Sequence, residues 1–386
     1  MSYIEDKMKD VVIISGGLGS TLAISQILGK QCKAAVYIVS LDNQHLDVFN
    51  ASRYIKEAIS LQGYDDQSTF NEFTRWYQDH FGQDKPILFC TSDRACIFVS
   101  TYYEWFCEHF EMTVPSPHIV RVFNNKMETS REMLQYDIVT PKTKVIVKEG
   151  DIQDIQDSFM FPVILKPFSA EKISSVGFKV QVVSSFQELS NITKDILKHD
   201  SFVIQEYIPG NDEKSWFYIF YKKGAVFAEC MGNKILQHPS EKGIMAVGKT
   251  AYNTQLSQVC HSFIERIGYE GIGGIEFKEY NGIFYFIEMS TRPEGFIKIT
   301  NHLSPNLLVL VYNTLSGKQI DKRVSCKEDA CYIDWFLFLL EVKKRFSKIC
   351  LVFKYKLLIG SVANIWDIKD KRPFFLYIQR LLTQRK

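Results

Sequence analysis

The chain is predicted to be an α/β protein with an added α+β portion, and three stretches predict it. Residues 11–39 read as a buried-type strand (VVIIS), a glycine-rich turn (GGLGS), a helix ending at Gly29 and a second strand (AAVYIVS). PILFC (86–90) is a third strand, followed at once by polar Thr91-Ser92-Asp93. In open α/β sheets such carboxyl ends are where ligands bind. Residues 271–296, GIGGIEFKEYNGIFYFIEMSTRPEGF, read as two strands joined at Tyr280-Asn281-Gly282.

The remaining elements follow in order. The turn after the first strand has Leu22 where a dinucleotide fingerprint wants its third glycine, so it speaks weakly for NAD. A glycine-rich turn opening a helix is still a usable anion site. Ser52-Arg53-Tyr54 is expected to begin a helix, and residues 61–85 have a polar helical pattern. The pattern pauses at EMTVP (111–115). Asn125-Lys126 then opens a helix running to about Tyr136. FPVILKPF is a strand with Lys166 near its end, and 169–178 is a serine-rich loop. SFVIQEYIPG is a strand that breaks at Pro209-Gly210, and WFYIFY and AVFAECM form a hairpin about Lys223-Gly224. Residues 232–250, with Lys234, His238 and Lys242, are expected to be irregular. Residues 331–362 are expected to be helical.

Composition bounds the class. The 386 residues are 46% hydrophobic and 23% charged, an ordinary globular balance long enough for two or three domains. Nine scattered cysteines without a C-x-x-C pair argue for a reducing compartment and against a disulfide scaffold or zinc site. The polar start before Val11 is no signal peptide, and no apolar run is long enough to span a membrane. The expectation is a cytoplasmic protein. Net charge is +2, yet residues 341–386 hold twelve Lys or Arg against Glu341, Asp367 and Asp370, which leaves −7 on the rest. A basic end beside an acidic body suggests peripheral contact with an anionic membrane surface or lipid-linked glycan. Nothing points to nucleic acid.

The chemistry concentrates in 271–296. Glu288, Ser290 and Arg292 alternate onto one strand face, with Glu276 on the partner strand. A two-residue Asn-Gly turn would pair Tyr280 with Ile283, set Glu276 opposite Ile287 and point the carboxylates to opposite faces. A three-residue turn ending in Gly282 would bring them to one face, and it is the expected version. Two carboxylates on one buried face repel unless a cation lies between them, and hard oxygens suit magnesium.

Lys166, the Gln205-Glu206-Tyr207-Ile208 strand end, Glu213 and the Glu276/Glu288 sheet occur in a fixed order. With GGLGS, SRY, TSD, NNK, GNKILQHP and WDIKDKRP, this set resembles the ATP-grasp superfamily, and within it carboxylate–amine ligases of the D-aspartate ligase type. The resemblance runs over nearly the whole chain. It implies a Rossmann-like pre-ATP-grasp domain (1–113) and an ATP-grasp domain (114–330) of two α+β subdomains clamping ATP. The lid subdomain would be about 114–195, the metal and phosphate subdomain about 196–330, and a basic helical extension 331–386.

The resemblance also implies roles. Lys126 and Lys166 bind phosphates, Ser175 lies in a lid loop, Gln205 to Ile208 hold adenine, and Glu213, or adjacent Asp212, takes the ribose. Glu276, Glu288 and Ser290 hold Mg2+, for which Mn2+ can substitute. Arg292 stabilises an acyl phosphate, and Lys234 of the G-x-K motif faces substrate. The partners would be a small carboxylate and an amine such as an amino acid, and a dimer is plausible. The implied activity is ADP-forming amide synthesis. Ser290 stands where the family usually has a metal-binding asparagine, and that leaves a non-catalytic nucleotide binder as the rival reading.

Overall fold

The computed structural model describes residues 8–61, 67–167, 177–178, 180–241, 243–318 and 324–383. Its N-terminal part is a parallel sheet of β1 (Val11–Ser15), β2 (Val36–Ser40), β3 (Ile55–Ser60), β4 (Ile87–Cys90) and β5 (Glu111–Met112), in order β3-β2-β1-β4-β5. β1, β2 and β4 are buried throughout, which is why they read as continuous apolar runs. The strand order reverses at β1, so the turns after β1 and β4 face the switch-point crevice. Ser52-Arg53-Tyr54 does not open a helix. It is a turn into β3, whose exposure suits an edge strand.

Next comes an antiparallel sheet of β6 (Thr143–Ile146), β7 (Val163–Pro167), β8 (Gln181–Val183) and β9 (Phe202–Glu206), in order β6-β9-β7-β8. β9 lies inside this sheet, so the expected lid boundary near 195 cuts through one packed unit. Its core joins Ile146, Leu165, Leu189 and Ile204.

The largest sheet has seven strands: β10 (Ser215–Lys223), β11 (Val226–His238), β12 (Ile244–Thr250), β13 (Gly271–Tyr280) and β14 (Ile283–Ser290), then β17 (Cys331–Ile333) and β18 (Val362–Ala363). The two-stranded pair β15 (Leu303–Ser304) and β16 (Ser325–Cys326) lies outside it. Residues 232–250 are therefore not irregular. They are the β11–β12 hairpin, with register slips about Leu236. Gly232 makes the pairing possible, since a Cβ there would lie 2.0 Å from the Lys249 carbonyl oxygen.

The expected boundary at 330 also fails to separate a distinct extension, because β17 pairs with β12 and β18 with β17. The helices between them, Trp335–Lys344, Cys350–Lys354 and Leu357–Gly360, are short. One apolar core joins the N-terminal sheet, the helix Leu307–Leu315 and one face of the large sheet, through Ile13, Phe217, Ile219, Leu308 and Val311. Among the described residues no helix is long and apolar enough to cross a membrane.

Candidate functional site

The two strands β13 and β14 meet through a two-residue turn. Tyr280 pairs with Ile283, and Asn281 (φ 50°) and Gly282 (φ 77°) are both left-handed, the pattern of a type I′ turn. The three-residue turn expected from sequence is therefore wrong. The carboxylates nevertheless share a face, because the ladder slips by one residue between Phe277 and Glu276. Phe277 pairs with Phe286, Ile287 is the extra residue, and Glu276 then lies directly opposite Glu288. This is a β-bulge, with two residues facing one. On the core side Phe277 and Phe286 pack edge to face with centroids 6.1 Å apart, and Ile275 pairs with Met289. Ile287 and Glu288 both turn to the cavity.

That cavity, about 1050 Å³, lies between the three sheets. At its acidic end the Lys234 ammonium is 2.5 Å from a Glu276 carboxylate oxygen. Lys234 is buried on β11, behind the residues that line the cavity, and its ammonium supports Glu276. Ser290 hydrogen-bonds to Glu294, a buried carboxyl absent from the sequence reading. Burial pushes Glu294 up to about 7, Arg292 pulls it down, and Glu276 adds to the rise. The signal for it was the Gly273-Gly274 pair, because a Cβ on Gly274 would lie 2.6 Å from a Glu294 oxygen. Arg292 Nε donates to Asp93 Oδ1 at 2.7 Å, tying the metal-binding candidates to the N-terminal sheet.

On the four-stranded sheet, Lys166 is buried and its Nζ donates to Gln205 Oε1 at 2.7 Å. Gln205 in turn donates to Thr143 Oγ1 at 3.1 Å. Lys126 opens its helix and lines a smaller adjoining cavity that it shares with Lys166, Gln205 and Glu288. The two lysines and a candidate metal carboxylate thus come together. Gln205, Glu206, Tyr207 and Ile208 all line the large cavity. The Glu206 carboxylate accepts from the Lys142 N–H at 3.1 Å, so here it closes the β6–β9 edge.

Glu213 is exposed and outside the cavity wall. Adjacent Asp212 is no substitute, since it accepts from the Gln237 N–H and side-chain amide, the Ser240 hydroxyl and the Glu241 N–H. The acid nearby that does line the cavity is Glu241, beside the Tyr207 hydroxyl. Lys278, two residues from Glu276, lines the floor and donates to the Gly210 and Asn211 carbonyls at 2.8 Å each. Ser175 and most of the expected lid loop lie outside the described residues.

The third wall is the switch-point crevice, formed by Gly16, Gly17, Gly19, Ser92, Asp93 and Arg94. Gly16 and Gly19 are there for close approach. A Cβ would come within 2.3 Å of Ser92 Oγ or 2.7 Å of Asn364 Oδ1, respectively. Behind this wall Asp370 accepts from Ser52 Oγ (2.6 Å), the Arg53 N–H (2.9 Å) and Gln26 Nε2 (3.2 Å). Lys298 Nζ reaches Gln26 and the Asn364 and Trp366 carbonyls. The sequence pieces SRY and WDIKDKRP are thus two halves of one clasp.

The donors at Glu276, Glu288 and Ser290 are hard oxygens. Among the described residues no three His, Cys, Asp or Glu side chains converge to hold a metal alone. The hard oxygens of Glu276, Glu288 and Ser290 fit magnesium, which takes few protein ligands and completes its shell with phosphate oxygens and water.

Comparisons with known proteins bear on the fold and the family. Residues 123–221 match the RimK-like ATP-grasp domain family. The chain is 22% identical over 294 residues to D-aspartate ligase of Enterococcus faecium (strain Aus0004), spanning 71% of this chain and 68% of that one. Its fold is similar to biotin carboxylase from Campylobacter jejuni in complex with β,γ-ATP, with TM-score 0.65 and 15% identity over 84% of this chain and 75% of that one. It is also similar to N5-carboxyaminoimidazole ribonucleotide synthetase with ADP, with TM-score 0.64 and 11% identity over 88% and 85%. A third likeness is N5-carboxyaminoimidazole synthetase from Staphylococcus aureus with ADP, with TM-score 0.62 and 14% identity over 82% and 80%. The chain has the fold of ATP-grasp enzymes, carries a stretch that matches the RimK-like ATP-grasp family, and is similar in sequence to a D-aspartate ligase.

Proposed function

We propose that the protein is an ADP-forming ligase that joins a carboxylate to an amine. The observation that carries this reading is the Glu276–Glu288 pair, set opposite each other by the bulge, in one cavity with buried Lys166 and the Gln205–Ile208 strand end. Glu276, Glu288 and Ser290 would hold Mg2+, or Mn2+ in its place, which neutralises phosphate charge during transfer. Lys126 and Lys166 hold the polyphosphate as compact charges. Residues 205–208 bind the base, and Glu241, in place of Glu213, faces the ribose.

A substrate carboxylate oxygen attacks the γ-phosphorus, and ADP leaves. The amine then attacks the acyl carbon, phosphate departs with the bonding pair, and the amine loses a proton as the amide forms. Arg292, held by Asp93, offers its remaining donors to the acyl phosphate. Lys234 is a positioning residue that fixes Glu276. The switch-point crevice beside Arg292 is assigned to the substrates. Amide products of cell-wall, surface-polysaccharide or peptide synthesis fit this chemistry.

The test is ADP release with Mg-ATP and a panel of amino acids paired with uronic-acid or peptide acceptors. No release with any pair, beside an active control ligase, would sink the proposal. A second reading, an ATP binder without turnover, rests on Ser290 itself, whose hydroxyl is a shorter and weaker metal donor than the asparagine amide oxygen usual at this position. Ser290→Asn separates the two. Turnover appearing only in the variant would show that the parent binds without catalysis.

A further inference from the structure

Between Glu341 and Asp367 the chain holds six lysines or arginines and no acid. This run contains three short elements, Phe346–Ile349, Cys350–Lys354 and Leu357–Gly360, which pack successively on one another. Leu351, Val352 and Leu357 anchor them in a core with Ile333 and Phe338. A second apolar set points the other way. Phe346 is 78% exposed, Phe353 78%, Leu358 72% and Ile359 94%. A single exposed apolar side chain needs no explanation, but four large ones within fourteen residues do.

The surrounding charge says what covers them. Among the described residues Lys343, Lys344, Lys348 and Lys356 form no side-chain ion pair. Arg345 is paired with buried Glu341 at 2.8 Å, and Glu213 is the acid within electrostatic reach of Lys354. A second copy of this face would set cation against cation, which disfavours self-association through it. Apolar tips among unneutralised lysines match an anionic bilayer, where acyl chains receive the tips and lipid phosphates receive the ammonium groups.

We propose that residues 343–360 dock the protein on an anionic membrane surface, with Phe346, Phe353, Leu358 and Ile359 entering the headgroup region. Arg345 belongs to the wall of the large cavity, so the docked face adjoins the candidate ligation site. The docking does not depend on the ligation chemistry and is read separately from it.

The experiment is co-sedimentation of the full chain with vesicles of phosphatidylcholine alone or with about one third phosphatidylglycerol, at low and high salt. Binding is expected only to the anionic vesicles, weakened at least tenfold by high salt. Phe346→Ser with Ile359→Ser, at two of the most exposed sites, should lower binding roughly tenfold, with unchanged thermal unfolding and unchanged ADP release in solution. Lys343→Glu with Lys348→Glu should do the same through charge. Equal binding to neutral vesicles, or none to anionic vesicles at low salt, would overturn the proposal. So would a concentration-dependent dimer that the serine variant abolishes, because that would assign the face to a second copy.

Discussion

Lys234→Met tests whether the Glu276 carboxylate is held where it is by a buried cation. The pair is 2.5 Å apart, and its members are unequally buried, with Lys234 2% exposed and Glu276 19%. Breaking a buried pair costs about 3–5 kcal/mol, mostly from the charge left behind. Lys234→Met leaves the more accessible partner, so it should sit at the low end, about 3 kcal/mol. Glu276→Gln leaves an ammonium sealed from water and should cost nearer 5 kcal/mol. The double variant removes both charges and should cost less than the two singles together, by about 3 kcal/mol. Urea unfolding at pH 7 without nucleotide measures all four proteins. Saturating Mg-ADP gives a second readout: it brings Glu276 a replacement cation and should narrow the gap between Lys234→Met and the parent. Additive single and double costs, each below about 1 kcal/mol, would refute the reasoning. They would mean that the bulge alone sets Glu276.

Three further outcomes are expected. Gly274→Ala drives a methyl to 2.6 Å from Glu294, and forcing that side chain aside should cost about 1–3 kcal/mol in thermal or urea unfolding and lower ADP release. An unchanged unfolding midpoint would show that Glu294 moves freely. Asp370→Ala removes the acceptor for Ser52, Arg53 and Gln26, and should cost about 3 kcal/mol by loosening the clasp on the N-terminal sheet. Preferential proteolysis between 52 and 61 would locate that loosening. Burial holds the Lys298 ammonium down to about 8, from an ordinary 10.5. Below pH 8 the folded and unfolded chains are both protonated, and the fold carries the whole cost of the buried charge. Between pH 8 and 10.5 the folded chain releases its proton first, so stability relative to Lys298→Met should rise, by up to about 3 kcal/mol. Parallel stability curves for the two proteins would contradict this.

Local chemistry was legible where one element determined it. The buried runs of β1, β2 and β4, the polar end at Thr91-Ser92-Asp93 and the lysine closing β7 are all patterns within a few residues. Residues 232–250 misled because Gly232, Pro239, Gly243 and Gly248 read as loop punctuation. In the sheet, two of these glycines serve close approach: a Cβ at Gly232 would strike the Lys249 carbonyl and one at Gly248 the Met245 sulfur. Glu213 and Asp212 could not be assigned from spacing either. Asp212 turns inward to organise 237–241, which leaves Glu213 in solvent and brings Glu241 to the cavity. Asp93 and Asp370 gained their partners across sequence separations of 199 to 344 residues, which no local pattern encodes.

The hairpin itself shows how a right geometry can rest on a different cause. Either an odd-length turn or a bulge puts Glu276 and Glu288 on one face. Asn281-Gly282 already satisfied the demands of a two-residue turn, with positive φ at both positions, so the turn had no need of a third residue. The constraint that forced a slip lies further along. Phe277 and Phe286 pair across the strands on the core side, and Ile275 and Met289 must do the same. Between Phe286 and Met289 stand two residues, but between Phe277 and Ile275 only one. A regular strand that kept Phe286 on the core side would turn Glu288 into the core and Met289 out to the cavity. Turning Ile287 outward beside Glu288 satisfies both aromatic and aliphatic pairs, and it aims the carboxylate at Glu276. The bulge is therefore dictated by the apolar residues around the site, and the acid pair takes its position from them. Lys234 and Glu294 then sit where those carboxylates are held.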